Sequence, residues 1–249
     1  MSDKYIPLTE IKLLWGKAHN KCAICKKNLT QETKEGYNYI IGEMAHIEGE
    51  KPEAARFNPN MSVKDRNKYE NLILLCPTCH TTVDNDSQQY TVEKLKDIKK
   101  EHAKWAEQSL KEHMPEVTFA ELEVILKYLV QQPLYGSEYG TEITVIPPRE
   151  KIQRNNLSPE VENLIVMGML QVKQIKDYLN RHPDIQFSER LRAGFVNKYK
   201  ELKDEGLQGD ALFYALLDFA LNNSAEFKLQ AAGLSILTYF FELCEVLEK

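Results

Sequence analysis

Two kinds of apolar spacing divide the chain. Between Gly36 and Leu75 the hydrophobic residues fall in short runs, Tyr39-Ile40-Ile41, Met44-Ala45 and Leu72-Ile73-Leu74-Leu75, each bounded by Gly, Asn or charge. Runs of this length between turn formers predict short strands. One or two lie within Gly36–Ile47 and end at His46, and another leads from Asn71 to Leu75. Pro77 then opens a short helix that places His80 and Asp84 at i and i+4, on one face. Past Thr91 the spacing changes to the helical one. Leu95, Ile98, Trp105 and Leu110 predict a helix with Thr91 as its N-cap.

Helical spacing persists to the C-terminus. Thr118-Phe-Ala-Glu121 is a capping box that starts a helix carrying Phe119, Leu122, Ile125, Leu126 and Leu129 to about Gln132. A stretch with Gly and Pro follows, Pro133 to Pro148, in which Thr141–Ile146 reads as a short strand or extended arm. Ser158-Pro159 begins a long helix toward Arg181, Ser188–Lys203 another, and Gly209–Leu221 a third. The last starts near Ser224 and is apolar on more than one face through Leu234, Ile236, Leu237, Phe240 and Phe241. Such a helix belongs at the centre of a bundle or in an interface. The boundary falls near Met114–Val117, so the expected domains are residues 1–115 and 116–249, and the fold class is α+β.

Composition adds a charge asymmetry. The 249 residues carry a net charge of −5, but residues 1–115 hold 18 Lys and Arg against 17 Asp and Glu, and the remainder nets −6. The acidity therefore sits in the helical half. No apolar run approaches the roughly 18 residues that span a bilayer, and the start, MSDKYIPLTEIKLLWGKAH, lacks the order of a secretory signal. The expectation is a cytoplasmic chain without membrane contact.

The five cysteines have an informative arrangement. Cys22 and Cys25 form one CxxC, Cys76 and Cys79 a second, and Cys244 stands alone in an apolar helical pattern that predicts a buried thiol. Thiolates two residues apart on a turn reach one zinc, and two such turns complete a four-sulfur tetrahedron. A redox-active CxxC is the alternative, although it expects a single pair beside a βαβ pattern.

Between and beside the two pairs lie further candidate groups. CAIC, GEMAHI and NLILLCPTCH, in that order, resemble the HNH nucleases of the ββα-metal class in their four-cysteine form, over residues 9–113. The resemblance implies a small zinc-stapled ββα-metal module that hydrolyses phosphodiester bonds in nucleic acid, DNA ahead of RNA. By the same resemblance His46 is the general base, His80 holds a catalytic divalent metal, and Asn71 positions the loop carrying the base or sits near that metal. Many members place a metal ligand just before the base, where this chain has Ala45. The missing ligand then comes from Asp84, one helical turn beyond His80, or less favourably from Glu43. Mg²⁺ or Mn²⁺ fits a site with so few carboxylates, and Ni²⁺ or Zn²⁺ fits the same pair.

Arg56, Lys64 and Arg66 lie between the base and Asn71 and are candidate phosphate contacts, although acids are interspersed with them. His19, His102 and His113 fall in polar helical stretches and are expected to face solvent. A different class of function also fits, a zinc-containing nucleic-acid-binding or scaffold protein with an inactive HNH core.

The helical half carries no second catalytic signature. ERLRAGFVNKYKELKDEGLQGDALFYALLDFA and YFFELCEVLEK resemble the C-terminal helical domain of effectors of bacterial ABC-three-component defence systems, over residues 158–249. That resemblance implies docking to a partner protein and an ABC-type ATPase. A generic helical domain for homo-oligomerisation is the plainer reading.

Overall fold

The computed structural model describes residues 5–33, 38–131, 148–243 and 247. Cys244 and the expected strand at Thr141–Ile146 lie outside the described residues. The chain divides into two compact units, residues 1–109 with 223–225, and residues 110–222 with 226–249.

The first unit begins with α1 (Leu8–Ala18), which ends as His19 turns to a left-handed φ of 52°. A hairpin of β1 (Thr30–Glu32) and β2 (Asn38–Ile40) follows, with Gln31 opposite Tyr39. The short apolar runs become β3 (Glu43–His46) and, beyond the one-turn helix α2 (Val63–Arg66), β4 (Leu72–Leu75). These two strands pair antiparallel with Ala45 opposite Ile73 and His46 opposite Leu72. All four residues of β4 are buried, which is why its sequence is continuously apolar rather than alternating. Helix α3 (Pro77–Asn85) starts directly off β4 with Cys76 as N-cap and Pro77 in its first turn, and α4 (Val92–His113) continues past the unit's edge. The core gathers Leu14, Leu29, Ile47, Leu72, Ile73, Leu74, Val83 and Leu95.

The second unit is helical. Its helices are α5 (Phe119–Val130), α6 (Pro148–Arg154), α7 (Pro159–Met169), α8 (Val172–Arg181), α9 (Phe187–Asp204), α10 (Gly209–Leu221) and α11 (Phe227–Glu242). The capping box at Thr118 forms, with the Thr118 N–H donating to the Glu121 carboxylate at 2.8 Å. Helix α11 packs on α5, α7, α8 and α10 and is the centre of the bundle. Two glycines permit its close crossings. A Cβ on Gly168 of α7 would lie 2.2 Å from Thr238 Oγ1, and one on Gly233 of α11 would lie 2.6 Å from Leu221 Cδ2.

The long helix expected from Ser158 to Arg181 is two. The chain turns at Leu170 and Gln171, whose N–H groups bond to the carbonyls of Met167 and Gly168 at 3.2 and 3.1 Å. Gln171 Nε2 then donates to the Met114 carbonyl at 2.9 Å, and Gln174 Nε2 to that of Val117 at 3.0 Å. Apolar residues continue across the break, so periodicity alone could not show it. Among the described residues no helix is long and apolar enough to cross a membrane.

Candidate functional site

The first cysteine pair sits on a tight turn. The Cys22 N–H donates to the Lys27 carbonyl at 2.9 Å, the Lys26 N–H to the Cys22 carbonyl at 3.0 Å, and Lys26 takes a left-handed φ of 63°. The Ala23 N–H fastens this turn to the Leu74 carbonyl of β4 at 2.9 Å. The second pair is built on the start of α3, where Cys76 Sγ accepts the Cys79 N–H at 3.4 Å.

The two pairs converge. All four sulfurs lie within 4.8 Å of one another, and Cys25 and Cys76, from different pairs, are 3.7 Å apart. Ligands at about 2.3 Å around a tetrahedral zinc stand about 3.8 Å from each other, so the cluster could hold that ion. Burial pushes the Cys22 and Cys79 thiols up, so a thiophilic cation is what would draw off their protons near neutral pH. Among the described residues, no other group of three or more His, Cys, Asp or Glu ligand atoms gathers this closely.

Beyond the cluster, α3 packs on β3 and β4. His80, on the second turn of α3, stands between two carboxylates. Its Nδ1 is 2.6 Å from Glu43 Oε2 and its Nε2 is 3.3 Å from Asp84 Oδ2. The helical spacing expected to align His80 with Asp84 does align them, and β3 adds Glu43 from the other side. Ala45, the position without a ligand, is 1% exposed and belongs to the core.

His46 lies apart from this trio in its contacts. By strand alternation it shares a face with Met44, while Glu43 shares one with Ala45. Its Nε2 is 3.0 Å from Oδ1 of Asn67, a buried residue that the sequence did not single out. An amide oxygen only accepts, so Nε2 is the donor in this contact.

The hydrogen bonds of the Asn71 side chain go to backbone groups. Its Oδ1 accepts the Glu48 N–H at 2.9 Å, while Nδ2 donates to the carbonyls of Glu48 and Arg66, both at 3.0 Å. Its amide therefore ties the loop after His46 to the start of β4.

The basic residues of that loop differ from expectation. Arg66 is 4% exposed, donates to the carbonyls of Gly49, at 2.6 Å, and Asn58, and stacks on Phe57. Arg56 is also turned inward, onto the Ile47 and Val83 carbonyls and the Asp84 carboxylate. Loop carbonyls with no strand partner need donors, and guanidinium groups supply them. Of the three candidate phosphate contacts, Lys64 alone is exposed.

The histidines also depart from the pattern. His19 and His102 are buried, and His113 packs against Phe227. His102 Nε2 donates to the Ala18 carbonyl at 3.1 Å, and its Nδ1 lies 2.9 Å from the Lys26 ammonium, which also sits over the Trp105 ring. Desolvation, with Lys26 adding to it, pushes the imidazole down to about 4. A helix face that reads as polar is here buried beside the cysteine turn.

Residues 120–248 match C-terminal domain 10 of the ABC-three component (ABC-3C) systems. The chain belongs to this ABC-3C family. The matched span contains α6 to α11 and nearly all of α5, so the ABC-3C domain begins well before Ser158, where the resemblance in the sequence started. The early part is harder to read because a Gly- and Pro-containing stretch separates α5 from the later helices. No curated protein matches the chain.

Proposed function

We propose that this ABC-3C chain is a metal-dependent HNH endonuclease, acting on DNA as the effector of a bacterial defence system. The observation that carries the reading is His80 between Asp84 and Glu43, on a strand-strand-helix unit stapled by four converging cysteines. A helical domain of the ABC-3C type supplies the system context and is consistent with an ABC-type ATPase as partner. Homo-oligomerisation through the same domain is part of the reading.

The residues present fit a divalent cation. His80 Nε2 and Asp84 Oδ2 are 3.3 Å apart, close to the roughly 3.0 Å between neighbouring ligands of an octahedral Mg²⁺ or Mn²⁺ with bonds of about 2.1 Å. Ni²⁺ or Zn²⁺ suits the same donors. When bound, the cation supplies Lewis-acid stabilisation of the charge that builds on the phosphate and on the leaving 3′ oxygen. His46 takes the proton of the attacking water at Nδ1, because Asn67 occupies Nε2. Asn71 holds the segment following His46 in place. Glu43 orients the His80 ring through Nδ1, as carboxylates do for metal-binding histidines.

The module is near neutral and both of its arginines, Arg56 and Arg66, are turned inward, so affinity for DNA by charge alone is weak. Recruitment through the ABC-3C domain then becomes the means of bringing the module to its substrate.

The test is cleavage of plasmid DNA by the full chain with Mg²⁺ or Mn²⁺, with and without its partner proteins. His46→Ala should abolish cutting while zinc content and thermal transition stay as in the wild type. Absence of cleavage with every divalent metal and with the partners present would instead establish a binding or scaffold protein with an inactive HNH core.

A further inference from the structure

Arg56 stands out among the basic residues because its side chain is only 5% exposed and its backbone holds a left-handed φ of 57°. A non-glycine residue keeps such a conformation when its surroundings over-determine it. Here the side chain does so. Nε donates to the Ile47 carbonyl at 2.8 Å, Nη1 to the Val83 carbonyl at 2.7 Å, and Nη2 to Asp84 Oδ1 at 2.7 Å.

The three acceptors are not a random set. Ile47 directly follows His46, Val83 directly precedes Asp84, and Asp84 turns its other oxygen to His80. One planar fork therefore spans from the end of β3 to the last turns of α3. The Val83 carbonyl is among the last four of that helix and lacks an intrahelical partner of its own, so a cation is well placed there. Only guanidinium offers several donors in a rigid plane, which a lysine cannot reproduce.

We propose that Arg56 is a positioning residue that clamps Asp84 Oδ1, so that Oδ2 is presented beside His80 in fixed register with the strand end bearing His46. This rests on the reading of His80 and Asp84 as the divalent-metal pair. Arg56 does not touch the phosphate; it acts through Asp84.

Manganese affinity, measured by electron paramagnetic resonance on zinc-loaded full-length protein, tests this in wild type, Arg56→Lys, Arg56→Gln, Asp84→Ala and Arg56→Lys/Asp84→Ala. Outer partners of metal ligands are typically worth about 10- to 100-fold in metal affinity or activity. The Mn²⁺ Kd should rise about tenfold or more in both Arg56 variants, with slower plasmid cleavage. In the Asp84→Ala background, Arg56→Lys should change that Kd by less than about twofold, since coupled sites are not additive. An unchanged Kd in both Arg56 variants, or an equal loss with and without Asp84, overturns the proposal in favour of a purely structural clamp. The Arg56 Nε–H resonance of the wild type gives the answer without relying on any variant's folding: it should shift on Mg²⁺ titration, and no shift overturns the clamp. A wild type that binds no Mn²⁺, or Asp84→Ala that binds it unaltered, removes the metal-pair reading itself and the clamp with it.

Discussion

Asn71 holds Glu48 by both halves of its backbone: Oδ1 accepts the Glu48 N–H at 2.9 Å and Nδ2 donates to the Glu48 carbonyl at 3.0 Å. The same amide nitrogen reaches the Arg66 carbonyl at 3.0 Å, and the residue is 4% exposed. The resemblance implies two roles for Asn71, near the metal or holding the loop of the base, and its contacts are with the backbone of the loop that follows His46. Asn71→Ala would leave a buried N–H and two carbonyls without their partner. At about 1 kcal/mol for each lost hydrogen bond, the loss is about 3 kcal/mol, seen as a lower urea midpoint. A midpoint unchanged from wild type would show that the loop stays closed without Asn71.

The cysteine cluster leads to a metal prediction. The full chain should carry one zinc, and Cys22→Ser or Cys76→Ser should lose it together with the cooperative transition of the first unit. Binding energy in four-sulfur sites is folding energy, about 10–16 kcal/mol in small zinc domains. Elemental analysis and calorimetry check this, and a zinc-free wild type with an intact transition would contradict it.

His102 makes stability depend on acid. Its imidazole is pushed down to about 4 from an ordinary 6.5, so between those values the unfolded chain binds the proton and the folded chain does not. Stability is therefore full above pH 6.5 and is lost as pH falls toward 4, by about 3 kcal/mol at most for a shift of this size. His102→Gln, which keeps a donor for the Ala18 carbonyl, should flatten the decline in Tm across that window. Zinc loss in acid is common to both proteins, so the difference between the two curves isolates His102. Parallel curves would show that His102 contributes nothing.

Gly168 tests the packing of the ABC-3C domain. Its missing Cβ would meet Thr238 Oγ1 at 2.2 Å and the Leu234 carbonyl at 3.1 Å, the latter a backbone atom that cannot rotate away. Gly168→Ala should lower stability by about 1–3 kcal/mol, as overpacking does in close-packed cores, despite alanine's better helix propensity. A raised Tm would mean that α7 and α11 separate easily.

Much of the local structure was already legible in the sequence. Spacing and caps located β3, β4, α3 and the starts of α5 and α7, and two CxxC pairs announced a four-sulfur site. These follow from periodicity, capping and turn geometry, which act over a few residues. Tertiary structure alone decided the uses of the polar side chains. Arg56 and Arg66 resemble phosphate contacts in a charge-mixed loop, yet both serve carbonyls brought near by the folding of residues 47–66. His102 lies on a polar-looking helix, yet is buried against Ala18 and Lys26, far away in sequence. Glu43 is three residues from His46 but meets His80 instead, because the β3–β4–α3 packing sets that distance. Sequence records which groups can donate, accept or ligate. Which of them find partners depends on contacts between segments that no local spacing encodes.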